Sequence, residues 1–394
     1  MIDELLNFIR LNLEKIESNK VFWNINYAQD INFEDKIYLE SSVALMLYHR
    51  NNKSSLNKES YLKIQCDIKS FVEKDEYALK LIKKPYLLYN YGLIYISLKK
   101  CGYTNSRLDA IIDFIEKKNL FDTIETIPFR VLDIEWSKHL LHNTEVKFDI
   151  VSKTSILNKK INPAYITTNE AYAFTHSIFY LTDFGVKEMP KEINLKSLRK
   201  TINALISWAL FNEDLDVLAE LVISIYCIYN NDDRHSKFAY DILCKYYSDF
   251  GFLPSKGFIT STYQNLTNKK EKEAYAYKNI YHTNYVWFLL LIIKNSRNLK
   301  DHTNSNLSKD EKIKSNLNNT VYFLNKLNLE NGIITQIKKE KNILIIIEVL
   351  LLKSISKGEI KILKEILDYY KNKVEYHSII YLESKNYLNL WNLN

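Results

Sequence analysis

The chain has 394 residues, long enough for two or three domains or one large repeat-like fold. A hydrophobic content of 46% supports a sizeable core, while only 7 Gly and 5 Pro argue against all-β folds, whose turns need both. The net charge of +7 comes from 54 basic and 47 acidic residues that are interleaved. No basic run marks a nucleic-acid or membrane arm, so the excess reads as a solvated surface.

Helical periodicity begins at once. Leu5, Phe8, Ile9, Leu11, Leu13 and Ile16 form the apolar face of a helix over about 3–17. The same period predicts helices near 36–50, 59–73, 75–84, 86–101, 105–118 and 126–142. In the last of these, Arg130, Asp133 and Trp136 are spaced by threes and share a face. Glu135, His139 and His142 also have helical spacing, but the order matches no metal signature. An ion pair with stacked histidines is the reading, and no metal or other cofactor is assigned.

The most informative stretch is 167–185. Thr167 and Glu170 form a capping box at a helix start, and Gly185 stands where a left-handed residue ends a helix. Between them Tyr172, His176, Tyr180 and Asp183 recur at spacings of four, four and three, which places them on one stripe. Histidine titrates near neutrality, so His176 is the candidate acid or base, with Tyr172 and Tyr180 as its partners. Asp183 would anchor a substrate. The plainer alternative is a satisfied buried network that holds helices in register.

Helices follow near 194–211, 213–230, 235–249, 278–297, 309–327, 342–356 and 358–373. The β-branched run 343–347 continues apolar through 352, and that length favours a helix over a strand. The polar stretch 256–278 reads as a solvated loop or a lid ahead of the next helix, which Asn279 would cap. That helix carries His282, Asn284 and Tyr285, a second set that could face a cleft and bind substrate alongside Arg130 and Glu135. Residues 298–310 read as a linker, dividing the chain into 1–300 and a C-terminal helical segment, 301–394, that packs on it.

Cys66, Cys101, Cys227 and Cys244 stand too far apart for a zinc ribbon or a disulfide framework. The acidic amphipathic start is no signal peptide, and the longest apolar run, 285–293, is too short to cross a bilayer. A cytoplasmic location is expected. No Walker loop, Gly-x-Gly-x-x-Gly or Gly-x-Ser-x-Gly occurs.

The helices pair into hairpins of roughly 35–45 residues, and 88–102 echoes the marked helix with Gly102 in the place of Gly185. An all-α fold is expected, closed as an α/α toroid around a polar-aromatic cleft or left as an open α-solenoid. The segment 169–185, with Pro128-Phe129-Arg130 and Glu135 upstream, resembles a family of uncharacterised bacterial proteins. Their shared core reads Tyr-Ala-x-Thr-His-x-x-Phe-Tyr-x-Thr-Asp-Phe-Gly. The resemblance implies a helical, toroid-like protein of unassigned activity, with some relatives near natural-product or peptide-modification genes. The expected function is His/Tyr acid–base chemistry on a small molecule or peptide. The alternative is a non-catalytic helical-repeat scaffold that binds a peptide or protein. No nucleic acid or membrane is expected as a partner, and a protein partner is compatible with either reading.

Overall fold

The computed structural model describes residues 1–18, 26–28, 31–52, 58–120, 125–297, 343–371 and 378–391. In chain order its helices are α1 (Ile2–Ser18), α2 (Phe33–Asn51), α3 (Glu59–Val72), α4 (Asp75–Lys83), α5 (Leu93–Lys100), α6 (Ser106–Lys117), α7 (Pro128–His142) and α8 (Thr168–Thr182). They continue as α9 (Leu195–Phe211), α10 (Leu215–Ile228), α11 (Arg234–Phe250), α12 (Thr260–Asn265), α13 (Lys269–Ser296), α14 (Ile343–Lys357), α15 (Ile360–Tyr370) and α16 (Ile379–Trp391). Among the described residues the only sheet is one antiparallel pair, β1 (Asn26–Ala28) with β2 (Ile31–Asn32). The fold is all-α, as the scarcity of Gly and Pro implies.

Two differences from the sequence reading have local causes. α5 starts at Leu93 and not near 86, because a 3-10 turn at Pro85–Leu87 and a further turn precede it. Gly92 closes that turn, where an added Cβ would lie 2.2 Å from the Leu88 carbonyl oxygen. α13 starts at Lys269, inside the stretch read as a loop or lid. Its Lys-Lys-Glu-Lys-Glu run is polar but made of good helix formers. Asn279 is therefore no cap; it lies inside α13 and its side-chain amide donates to the Tyr275 carbonyl at 2.8 Å. α16 is an additional helix. The linker over 298–310 and the helix expected near 309–327 lie outside the described residues.

The chain divides into two compact units. The first comprises 1–155, 176–188 and 258–297, which hold α1–α7, the second half of α8, α12 and α13. Its core forms where α2 packs on α5 and α13, and α1 on α3 and α13. Tyr48 stacks on Phe288 there, with ring centroids 5.9 Å apart. The second unit comprises 156–175, 189–257 and 298–394. Its described helices are the first half of α8, α9–α11 and α14–α16. α10 is buried from Leu215 through Cys227, and α9 lies against α10, α11, α14 and α16. The sequence reading has one boundary near 300, whereas here the chain passes between units repeatedly. The apolar faces of α9 and α14 bury each other, and full burial of each Leu or Ile side chain contributes about 1.5–3 kcal/mol.

All four cysteines are free, with Cys101 and Cys227 buried. Among the described residues no helix is long and apolar enough to cross a membrane.

Candidate functional site at the α7–α8 seam

The ends of α7 and α8 explain their placement. α7 follows an extended Ile127 and opens on Pro128, whose missing N–H costs nothing at a helix start. It closes on Asn143 in the left-handed conformation, φ 57°. At the start of α8 the Thr167 hydroxyl donates to Glu170 Oε2, and the Thr167 amide donates to the same oxygen at 2.9 Å; the hydroxyl first and then the amide hold the Glu170 carboxyl below its usual range. The predicted left-handed Gly185 is present, with φ 87°, but Asp183 (φ 46°) and Phe184 (φ 52°) precede it in the same region. Left-handed backbone at two non-glycine residues costs of order 1–3 kcal/mol each and persists only where the surroundings enforce it.

Asp183 supplies that enforcement. Its buried carboxylate accepts from Arg50 Nη1 and from Trp136 Nε1, both at 2.8 Å, while its carbonyl accepts from Arg50 Nη2 at 3.0 Å. The Trp136 indole leans on Tyr180 and Phe184 with ring centroids 5.3 and 5.4 Å away. Arg297 donates to the Gly185 carbonyl.

The contacts advance in step along the two helices, so α7 runs parallel to the second half of α8. Phe129 lies 6.1 Å from the His176 ring, and Tyr180 hydrogen-bonds to Asp133. Beyond Trp136, His139 Nε2 lies 3.8 Å from Asp183 Oδ2. His176 is half-buried and also packs on Phe179 and Tyr180, at 5.7 and 5.9 Å. Burial raises the Asp133 carboxyl above its ordinary range, against the opposing pull of Arg130, whose Nη1 donates to it at 2.9 Å, and of Tyr180. Arg130 itself is about half exposed. The seam thus sets a titratable imidazole and an accessible guanidinium on a frame of buried Tyr180, Asp133, Trp136 and Asp183.

The other predicted residues turn elsewhere. Tyr172, in the half of α8 that belongs to the second unit, donates to Asp216 Oδ2 at 2.5 Å. Burial, then the charges of Asp216 and Glu220, push its phenol far above the ordinary range. Thr175 donates to Glu220, so two hydroxyls of α8 meet two buried carboxylates of α10. Those carboxylates offer oxygens within 4.8 Å of each other, ligand atoms of the kind hard cations take. Sequence reasoning missed this pair, although acids four apart in an otherwise apolar helix were a visible signal.

In the first unit, His282 Nδ1 lies 3.0 Å from Glu40 Oε2. Burial alone would raise the Glu40 carboxyl, but His282 and Lys36 outweigh it and hold it low. The Tyr285 hydroxyl shares a hydrogen bond with Ser41 at 3.0 Å, and burial pushes its phenol up. Both residues thus take partners on α2, while those of His176 given above lie on α7 and α8. Glu135 pairs with Lys138 at 3.1 Å, His139 Nδ1 meets the Thr144 carbonyl at 2.5 Å, and His142 Nε2 lies 2.8 Å from Glu116. Those three side chains take separate partners, as an ion-pairing surface would.

The family model for a domain of unknown function, DUF6895, matches residues 3–292, and the chain belongs to that family. The match spans both motif elements, Pro128-Phe129-Arg130 and the stretch 169–185. No curated protein and no solved structure matches the chain.

Proposed function

We propose that this member of the DUF6895 family is an enzyme that applies acid–base chemistry from His176 to a small molecule or peptide. The observation that carries the reading is the meeting of two motif elements remote in sequence. Phe129 and Arg130 come from one, and His176, Tyr180 and Asp183 from the other. His176 is the titratable group on this seam with both an aromatic frame and access to solvent. It moves the proton, a contribution of about 10²–10⁴-fold for a positioned acid or base. Arg130 holds an anionic group of the substrate. Tyr180, fixed by Asp133 and Trp136, orients the imidazole. Natural-product or peptide modification in a bacterial cytoplasm is the setting this reading adopts.

A second reading, a peptide-binding helical scaffold, draws on the burial of Tyr180 and Asp183 in structural contacts. One experiment separates the two. The protein and a His176→Gln variant are incubated with a metabolite and peptide extract, and the mixture is followed by untargeted mass spectrometry. The enzyme reading expects a compound consumed by the wild type and untouched by the variant. Retention of one compound by both proteins with no conversion overturns it in favour of the scaffold.

A further inference from the structure

The seam has a third support, and it lies outside both motif elements. Arg50 stands in the last turn of α2, the helix that packs on α5 and α13 in the core of the first unit. Its guanidinium forks onto one residue of the seam. Nη1 donates to the Asp183 carboxylate at 2.8 Å, and Nη2 donates to the Asp183 carbonyl at 3.0 Å. A planar fork spans two acceptors in a fixed geometry, which the point charge of a lysine does not. The fork therefore holds the side chain and the left-handed backbone of Asp183 together.

Holding both also fixes where the second carboxylate oxygen points. That oxygen, Oδ1, accepts from Trp136 Nε1 at 2.8 Å. The indole lies against Tyr180 with ring centroids 5.3 Å apart, and Tyr180 lies against His176 at 5.9 Å. The three residues between Arg50 and His176 are buried, and close-packed interiors transmit displacement. Stability alone does not explain the arrangement. A buried ion pair is often no more stabilising than apolar side chains of the same volume. The backbone it holds is strained at Asp183 and Phe184, with φ of 46° and 52°. What the pair does supply is a set direction for the indole.

We propose that Arg50 is a positioning residue for His176, setting the orientation of the imidazole through Asp183, Trp136 and Tyr180. This role rests on the acid–base reading of His176 and adds to it a control point on α2.

The test is NMR of the full chain with ring-labelled histidine, in which the His176 signals are identified by their loss in His176→Gln. Phe129, Phe179 and Tyr180 surround the His176 ring, and their ring currents displace its signals from those of an exposed imidazole. Arg50→Lys keeps the charge and loses the fork, so the His176 signals should shift towards the exposed position. Trp136→Phe breaks the next link and should shift them the same way; it carries the comparison if Arg50→Lys does not fold. Glu348→Gln is the control, since it weakens the bond between Glu348 and His235, which share no contact in this series, and should leave the signals in place. Circular dichroism checks the fold of each variant. Consumption of a compound that the wild type converts in the extract should fall by up to about 10²-fold in Arg50→Lys. Unchanged His176 signals in folded Arg50→Lys overturn the positioning role while the acid–base reading stands. An equal shift in Glu348→Gln reports general loosening and overturns it too. Shifted signals with no compound consumed by the wild type overturn the acid–base reading instead, and Arg50 then positions no reaction.

Discussion

The α7–α8 seam and the cluster around Glu348 are both polar assemblies between helices, and they differ in how completely they are enclosed. Glu348, on α14, is buried and accepts from Ser207 on α9, from His235 Nε2 on α11 at 2.9 Å, and from Ser378 just before α16. Its two oxygens are satisfied within the second unit by groups that are themselves buried or half-buried. The seam has a buried spine of Asp133, Trp136, Tyr180 and Asp183, yet His176 and Arg130 keep access to solvent. A fully enclosed network can only stabilise. One that leaves titratable groups at its rim can also meet a ligand.

That contrast predicts where substitution is costly. Glu348→Ala should have the largest effect, about 3–5 kcal/mol of stability, because it leaves a buried His235 and two hydroxyls without their acceptor. Chemical denaturation measures it, and a loss under about 1 kcal/mol would mean the cluster is open to water. Asp183→Ala comes next, at about 2–4 kcal/mol, since Arg50 and the Trp136 N–H lose their acceptor. Asp183→Asn should recover part of that, because Asn accepts from Trp136 and tolerates left-handed backbone. If both variants unfold at the same denaturant concentration, the Trp136 bond is not what holds the turn. Gly185→Val should cost on the order of 1–2 kcal/mol from its φ of 87° alone. An unchanged melting curve would count against the left-handed turn.

The enclosed cluster also has a pH signature. Burial opposes the charge on His235, but the Glu348 carboxylate outweighs it, with a smaller pull from Asp233 and a push from Arg234, so the imidazole titrates above its ordinary value. A folded pKa above the unfolded value of about 6.5 places the stabilisation fully below that pH. It is lost as pH rises through the folded value. Denaturation midpoints should therefore fall as pH is raised above about 6.5, and Glu348→Gln should flatten that slope. A rise in stability over the same range from this pair would overturn the assignment.

The helices themselves were largely legible. Asn194 caps α9 by accepting from the Ser197 amide, and the apolar period then runs to Phe211, close to the boundaries read from the sequence. The failures came where composition misleads: the Lys-Glu run that opens α13 is polar and helical at once. The stripe on α8 was legible because spacing alone fixes a shared face. Its division was not. Tyr172 and Thr175 turn to Asp216 and Glu220 on α10, while His176 and Tyr180 turn to α7. Nothing local to a helix names the helix it will face, and Arg50 meets Asp183 across 133 residues. Arg130, Asp133 and Trp136 were readable as one face of α7, but the helix that this face meets was not.

The smallest expected effect on stability, and the most decisive for function, belongs to His176. Its ring is half-buried against Phe129, Phe179 and Tyr180, with centroids near 6 Å, at the rim of the seam and not in its spine. His176→Gln keeps a polar side chain of similar reach, so the unfolding free energy should change by no more than about 1 kcal/mol. Gln cannot accept and return a proton near neutrality, so turnover should fall by about 10²–10⁴-fold while ligand binding persists. This pairing separates the rim from the spine, since Asp183→Ala should lose stability and binding together. If His176→Gln unfolds the protein as readily as Asp183→Ala does, His176 belongs to the spine. The seam is then a second enclosed network like that of Glu348, and the catalytic reading falls with it.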